Sequence, residues 1–261
     1  MHVQTLASGS QGNSTLVRAG DTHLLIDAGL PTDELLERLD AARVAPRSID
    51  HIALTHGHLD HARAAGELSR RYRIPIHCAE RLASNRSVRG AHCLSAFTIG
   101  RTFELAGARG DDGLRLRPVL IPHDARPTVA FRVEHGERVA ALVTDMGRPD
   151  REAAVALRGA ELLVLEFNHD ADLLARGPYA SRLKRRVGGP HGHLSNDQAC
   201  EVLRAVASPA LHTLVLGHLS RANNTPELAR AAAERTLGEL GRTDVQVLVA
   251  GQDEIGPNLK V

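Results

Sequence analysis

The stretch THGHLDH, residues 55–61, sets His56, His58, Asp60 and His61 within six positions. Imidazole nitrogens and carboxylate oxygens are the donors that a divalent transition metal takes from a protein. His56 and His58 alternate and the Asp60–His61 pair follows, so one loop can serve two adjacent metals. A polar loop with surface histidines is the other reading. The apolar IALT before the histidines argues against it, because a buried strand feeding a loop lets side chains converge on one point. Four residues do not complete two coordination spheres. Three more candidates each close an apolar run: His123 in RPVLIPH, Asp145 in AALVTD and His218 in TLVLGH. Five imidazoles and two carboxylates suit a dinuclear centre with a bridging carboxylate. Asp27, closing HLLID, is read as holding the metal loop by hydrogen bonds instead of binding metal itself.

The elements that must position these groups alternate along the chain. Short β-type runs lie at 2–6, 15–18, 24–27, 52–55, 74–77, 114–122, 128–134, 139–144, 162–167, 211–217 and 245–249. Helical patterns occupy 32–42, 60–72, 150–158, 195–207 and 226–240. The 60–72 helix would start at Asp60, whose charge suits the positive end of the helix dipole. It carries Ala62, Ala65, Gly66 and Ser69 along one side, a small-residue face for close approach to a sheet. The first three strands have no helix between them, whereas later strands alternate with helices. That favours an α/β sandwich with mixed sheets over a doubly wound parallel sheet. Glycine clusters at 107–113 and 188–192 read as loops, and residues 1–261 as a single domain.

Composition narrows the function classes. With 32 Lys and Arg against 31 Asp and Glu, no overall field draws the chain to a polyanion, so such contact needs a local patch. Aromatic residues are only 2%, which argues against a base-stacking platform. Cys78, Cys93 and Cys200 are unevenly spaced and cannot all pair, as expected of a reducing compartment. The opening MHVQTLASGSQGNS lacks a basic-then-apolar leader, and no run approaches spanning length. A cytoplasmic protein with no membrane partner is expected.

LLIDAG, THGHLDH, PHDA, VTDMG and LGHLS together, in this order, resemble the metallo-β-lactamase superfamily. LASGSQGNS, EFNHD, GHLSN and GHLSRANNTPE narrow the resemblance to the YycJ/WalJ-type bacterial hydrolases. The resemblance implies an αββα sandwich of two mixed β-sheets flanked by helices, with two divalent metals, zinc first and manganese second. His56, His58 and His123 would hold one metal, Asp60, His61 and His218 the other, with Asp145 bridging. It implies a 5′ exonuclease on DNA, and so a phosphodiester or nucleic-acid substrate. The metals would turn water into hydroxide near neutral pH, with Asp60 orienting it or taking its proton. A glyoxalase II-like thioester hydrolase shares the bridging Asp and is the alternative. The β-lactamases themselves are set aside by Asp145 and the absence of a leader.

The segment between Asp145 and His218 is polar beyond what a thioesterase needs. Glu166 and His193 resemble the Glu–His pair of the superfamily's tRNA-processing phosphodiesterases, with His193 protonating the departing alkoxide and Glu166 supporting its charge. Alternatively, His193 is a polar loop residue beside Ser195, which suits a helix cap. His169 is a further candidate for substrate contact. SRLKRRVGG carries Arg182, Lys184, Arg185 and Arg186, either a solvated helix face or a clamp on the phosphate backbone. SGSQGN reads as a hairpin that could also set Ser8, Ser10 and Asn13 against a phosphate or order the rim of the site. SRANNTP, with Ser220 and Asn223, is a substrate rim or a turn into the next helix.

Overall fold

The structure is a computed structural model that describes residues 1–107 and 113–261. Most of the glycine cluster expected as a loop at 107–113 therefore lies outside the described residues. In chain order the strands and helices begin with β1 (His2–Ala7), β2 (Ser14–Ala19), β3 (Thr22–Ile26), α1 (Thr32–Ala41), β4 (His51–Ala53), α2 (Leu59–Ala62) and α3 (Ala65–Tyr72). There follow β5 (Pro75–Ala79), β6 (Cys93–Phe97), β7 (Phe103–Leu105), β8 (Leu114–Ile121), β9 (Thr128–His135), β10 (Arg138–Val143) and α4 (Arg151–Leu157). The chain closes with β11 (Leu162–Glu166), α5 (Ala171–Arg176), α6 (Ser181–Val187), α7 (Asn196–Val206), β12 (Thr213–Gly217), α8 (Pro226–Glu239), β13 (Gln246–Val249) and β14 (Leu259–Lys260).

Two compact units divide these elements: residues 1–118, 133–138 and 251–261 form one, and 119–132 with 139–250 the other. The first unit holds a seven-stranded sheet in the order β14-β1-β2-β3-β4-β5-β6. Its β14, β1, β2 and β3 run antiparallel and β3 to β6 parallel, the mixed arrangement that the helix-free opening predicts. A second sheet has the order β13-β12-β11-β10-β9-β8-β7, with β10 to β13 parallel. Strands β11 and β12 are buried along their whole length, as near-continuous apolar runs demand. The second unit's core sets Leu163, Leu165, Leu214 and Leu216 with the inward faces of α7 (Ala199, Val202, Leu203, Val206) and α8 (Ala229, Ala233, Leu237). Helices thus flank both mixed sheets. Among the described residues no helix is long and apolar enough to cross a membrane.

The helix expected over 60–72 is broken into α2 and α3. The carbonyl of Asp60 accepts the Asn13 N–H at 2.7 Å, and that of His61 accepts the Ala28 N–H at 2.7 Å. In turn the Ala64 N–H goes to the Ala28 carbonyl at 2.8 Å. Backbone from two earlier loops has replaced the helix's own hydrogen bonds, something local periodicity does not signal. Asp60 sits inside a one-turn helix accordingly, while Ala62, Ala65, Gly66 and Ser69 are buried as expected. The invasion requires Gly29, because a Cβ there would fall 1.7 Å from the Asp60 carbonyl oxygen. Gly29→Ala should therefore destabilise the fold by about 3 kcal/mol or more. Urea unfolding followed by circular dichroism measures this, and a loss below about 1 kcal/mol would contradict the packing described.

Candidate functional site

In the first unit the donors gather where parallel strands end. β3 and β4 run parallel with Ile26 beside Ala53, so Asp27 and the 54–58 loop emerge together. Asp27 is buried, and its carboxylate accepts the Thr55 N–H at 2.8 Å and the Thr55 hydroxyl at 2.8 Å. It also takes the His61 Nδ1 proton at 2.7 Å. That fixes the His61 tautomer and leaves the lone pair on Nε2, towards which Asn13 Nδ2 points at 3.0 Å. His56 turns Nδ1 towards the Thr55 hydroxyl at 3.0 Å. Its ring lies 4.7 Å from that of His58 and 4.2 Å from that of His61, centroid to centroid. Asp60 Oδ2 lies 3.7 Å from His61 Nε2 and its side chain is partly exposed.

The second unit repeats the device. Strands β10, β11 and β12 are in parallel register, Val143 beside Leu165 and Glu166 beside Gly217. Asp145, Glu166 and His218 therefore stand at one carboxyl edge, where open α/β sheets bind ligands. With His193 they form a group whose ligand atoms all lie within 4.8 Å of one another. Glu166 is wholly buried and accepts the Met146 N–H at 2.8 Å. Its other oxygen takes His193 Nδ1 at 2.8 Å and lies 3.3 Å from His218 Nδ1. Asp145 Oδ1 is 3.1 Å from His193 Nδ1 and 3.5 Å from His218 Nε2. Burial by itself disfavours a charged His193, yet Glu166 and Asp145 outweigh it and push its pKa up to about 9. Burial likewise works to raise the Glu166 pKa, but His193 and His218 hold it below the usual carboxylate range. His123 anchors Nδ1 on the Gly192 carbonyl at 2.9 Å.

Asp27, Asp145 and His218 share one further feature. Each follows a strand and adopts φ near +60° (62°, 59° and 55°), which non-glycine residues seldom do. Left-handed backbone of this kind costs about 1–2 kcal/mol per residue and is typical of functional sites. The donor chemistry fits divalent metals in both units: imidazoles fixed through Nδ1 or by their neighbours, with carboxylates beside them.

The residues expected to touch substrate divide. Ser10, Arg182, Arg185 and Arg186 are exposed, Lys184 and Ser220 half-buried. The basic run is α6; Arg186 pairs with Asp124 at 2.8 Å, and Lys184 reaches the Ala175 carbonyl at 2.7 Å. Ser8, Asn13, His169, Ser195 and Asn223 are buried. Asn13 binds the Gly9 backbone in both directions and orders the metal loop. Ser195 caps α7 in a reciprocal capping box with Gln198. Burial pushes the His169 pKa down to about 4, an uncharged ring inside the fold. Three contacts were not foreseen: the Thr55 bridge to Asp27, Asn168 donating to the His218 carbonyl at 2.9 Å, and a reciprocal Asn196–Asn224 amide pair. The last joins GHLSN to GHLSRANN, and two asparagines in paired motifs were its only signal.

The fold and these donors define a class. The chain belongs to the metallo-beta-lactamase superfamily, whose family model matches residues 7–218, and it is a metal-dependent hydrolase of that superfamily. Within it, the chain is similar to exodeoxyribonuclease WalJ of Streptococcus pneumoniae, 31% identical over 90% of this chain and 87% of the relative. It is also similar to exodeoxyribonuclease YycJ of Bacillus anthracis, 29% identical over 92% of this chain and 90% of the relative. Among solved structures, the metallo-beta-lactamase fold protein YhfI from Bacillus subtilis superposes with a TM-score of 0.72 at 18% identity, over 98% of each chain. The short form of human tRNase Z gives 0.64 at 16% identity over the full length of both. At those identities the likeness concerns the fold alone.

Asp27→Asn keeps the shape of the side chain but cannot accept all three hydrogen bonds as an anion does. Metal affinity, measured by competition with a chromogenic chelator, should fall about 10- to 100-fold with little change in circular dichroism. Affinity equal to that of the parent would show that Asp27 does not tune the metal loop.

Proposed function

We propose that the protein is a dinuclear phosphodiester hydrolase acting on nucleic acid, a 5′ exonuclease on DNA. The observation that carries the reading is the Glu166–His193 contact within the group that includes Asp145 and His218. A phosphodiester expels an alkoxide, which needs a proton far more than the thiolate released from a thioester. An imidazole held through Nδ1 by a buried carboxylate, with its ring partly exposed, can deliver that proton from Nε2. Similarity at about 30% identity to exodeoxyribonucleases over about 90% of the chain supports the same reading.

In this proposal His56, His58 and His123 would hold one metal and Asp60, His61 and His218 the other, with Asp145 a ligand that both would share. The imidazole-rich donor set favours zinc, with manganese as the alternative that supply would decide. Two such ions supply an acidified water and neutralise charge on the phosphoryl oxygens. The rest falls to this chain's residues. Asp60, on α2 where Asn13 and the backbone at Gly29 pack against it, orients the attacking water or accepts its proton. His193 protonates the leaving oxygen, and Glu166, too deeply buried to meet substrate, positions His193. The α6 cations, exposed Arg182, Arg185 and Arg186 with half-buried Lys184, clamp the phosphate backbone. We further treat residues 1–261 as one hydrolase domain working in the cytoplasm, in keeping with three free cysteines.

Purified protein supplied with zinc or manganese should shorten 5′-labelled DNA and leave S-lactoylglutathione intact. Asp60→Asn and Asp145→Asn should each lower that hydrolysis by at least about a thousandfold, or 4 kcal/mol in barrier, with circular dichroism unchanged. Near-parental turnover with full metal loading in either variant, or rapid thioester turnover by the parent, would reject the mechanism. Replacing the four α6 cations with Gln should leave metal content unaltered, weaken polynucleotide binding and flatten its salt dependence by up to about 3 in log–log slope. An unaltered slope would remove α6 from the binding surface.

A further inference from the structure

We propose that residues 80–89 form a second phosphate-binding wall, with Arg81, Arg86 and Arg89 as the cations that carry a polynucleotide strand beyond the metal loop. The inference rests on the nucleic-acid reading above and adds to it a surface that the sequence motifs do not mark.

The segment is two tight turns, Glu80–Ser84 and Arg86–Val88, joined at Asn85. Every third residue faces inward: Leu82 and Val88 are buried and Asn85 is half-buried between them. Asn85 fastens the segment to the metal loop. Its Nδ2 donates to the Gly57 carbonyl at 3.2 Å, and its Oδ1 accepts the Ser87 N–H at 2.9 Å. Two glycines make the docking close. A Cβ on Gly57 would fall 2.5 Å from Asn85 Nδ2, and one on Gly66 would fall 2.4 Å from the Ser87 carbonyl oxygen. Arg70 adds a 2.8 Å hydrogen bond to the Arg89 carbonyl. Gly57 lies between His56 and His58, so this backbone is fixed directly against two candidate ligands.

The outward face of the fixed backbone is cationic. Arg81, Arg86 and Arg89 are all exposed, and Glu80 is the one acid in the segment. Among the described residues, none of the three arginines has a carboxylate partner. The Arg89 N–H bonds to the Arg86 carbonyl, and in such a turn residues three apart eclipse. Arg86 and Arg89 therefore share a face roughly 6 Å apart along the axis. Uncompensated guanidinium groups on a rigid rim suit an extended polyanion, because the backbone presenting them loses little freedom on binding. The exposed Leu59, next to His58 on α2, gives the same rim an apolar contact for a sugar or base, since α2 packs on the second turn.

The test compares the parent with Arg81→Gln/Arg86→Gln/Arg89→Gln and with the corresponding triple Lys variant. Binding of a fluorescent phosphorothioate trinucleotide and of a twenty-mer single-stranded DNA is followed by anisotropy across a salt series. Metal content and circular dichroism serve as controls. The Gln variant should bind the twenty-mer more weakly and lose about 2 from the log–log salt slope, while the trinucleotide changes far less. The Lys variant should keep the parental slope. If the parent cleaves DNA and the Gln variant keeps its slope on the twenty-mer, this wall does not exist and the nucleic-acid reading stands. An equal loss on both lengths would make the arginines part of the reaction site and overturn the wall as proposed. If the parent neither binds nor cleaves DNA, the nucleic-acid reading falls and the wall with it.

Discussion

An imidazole anchored through Nδ1 on a fixed oxygen is the constraint on which the rest of this molecule depends. His61 is held by Asp27 at 2.7 Å, His193 by Glu166 at 2.8 Å and His123 by the Gly192 carbonyl at 2.9 Å. In each case the anchor fixes the ring and directs Nε2 to the side opposite the anchor, and for His61 and His123 it also selects the tautomer. Without it, a histidine ring swings about two side-chain bonds, and ordering it would fall to the metal or substrate at the moment of binding. With it, that cost is met during folding. The anchors are buried, so they cannot exchange their proton partners for water.

Parallel strands make the anchors available. Their register brings Asp27 beside the metal loop in one unit and sets Asp145, Glu166 and His218 at one edge in the other. The chain must then turn sharply while keeping the side chain at the edge. Asp27, Asp145 and His218 achieve this in the left-handed region, at a strain of about 1–2 kcal/mol each. Hydrogen bonds to Thr55 and Asn168 hold Asp27 and His218 in place. The site thus draws on the stability of the strands behind it, which are among the most deeply buried parts of the chain.

What could be read from the sequence follows from how local the signal is. Apolar strands such as LLVLE and TLVLG announce themselves, and so do the donors that close them. Strand β6 does not: four of its five residues are exposed, leaving no apolar alternation to detect. β7 and β14 are three and two residues long, too short for a pattern. The break between α2 and α3 was hidden because its cause lies at residues 13, 28 and 29, distant in the chain. Asn13 reads from the sequence either as a phosphate contact or as ordering the site rim, and Ser195 as a helix cap; in the fold Asn13 orders a loop and Ser195 caps α7. Polar residues serve both purposes, and only burial separates them.

Side-chain nitrogen-15 NMR of the histidines, with zinc titrated into metal-free protein, tests the central claim most directly. The account predicts that His61 and His123 carry their proton on Nδ1 alone before metal is added, whereas His193 carries protons on both ring nitrogens. It further predicts that the Nε2 signals of the five metal-ligand imidazoles respond to zinc and saturate at two equivalents. A neutral His61 or His123 with its proton on Nε2 in the metal-free state, or saturation at one equivalent, would contradict it.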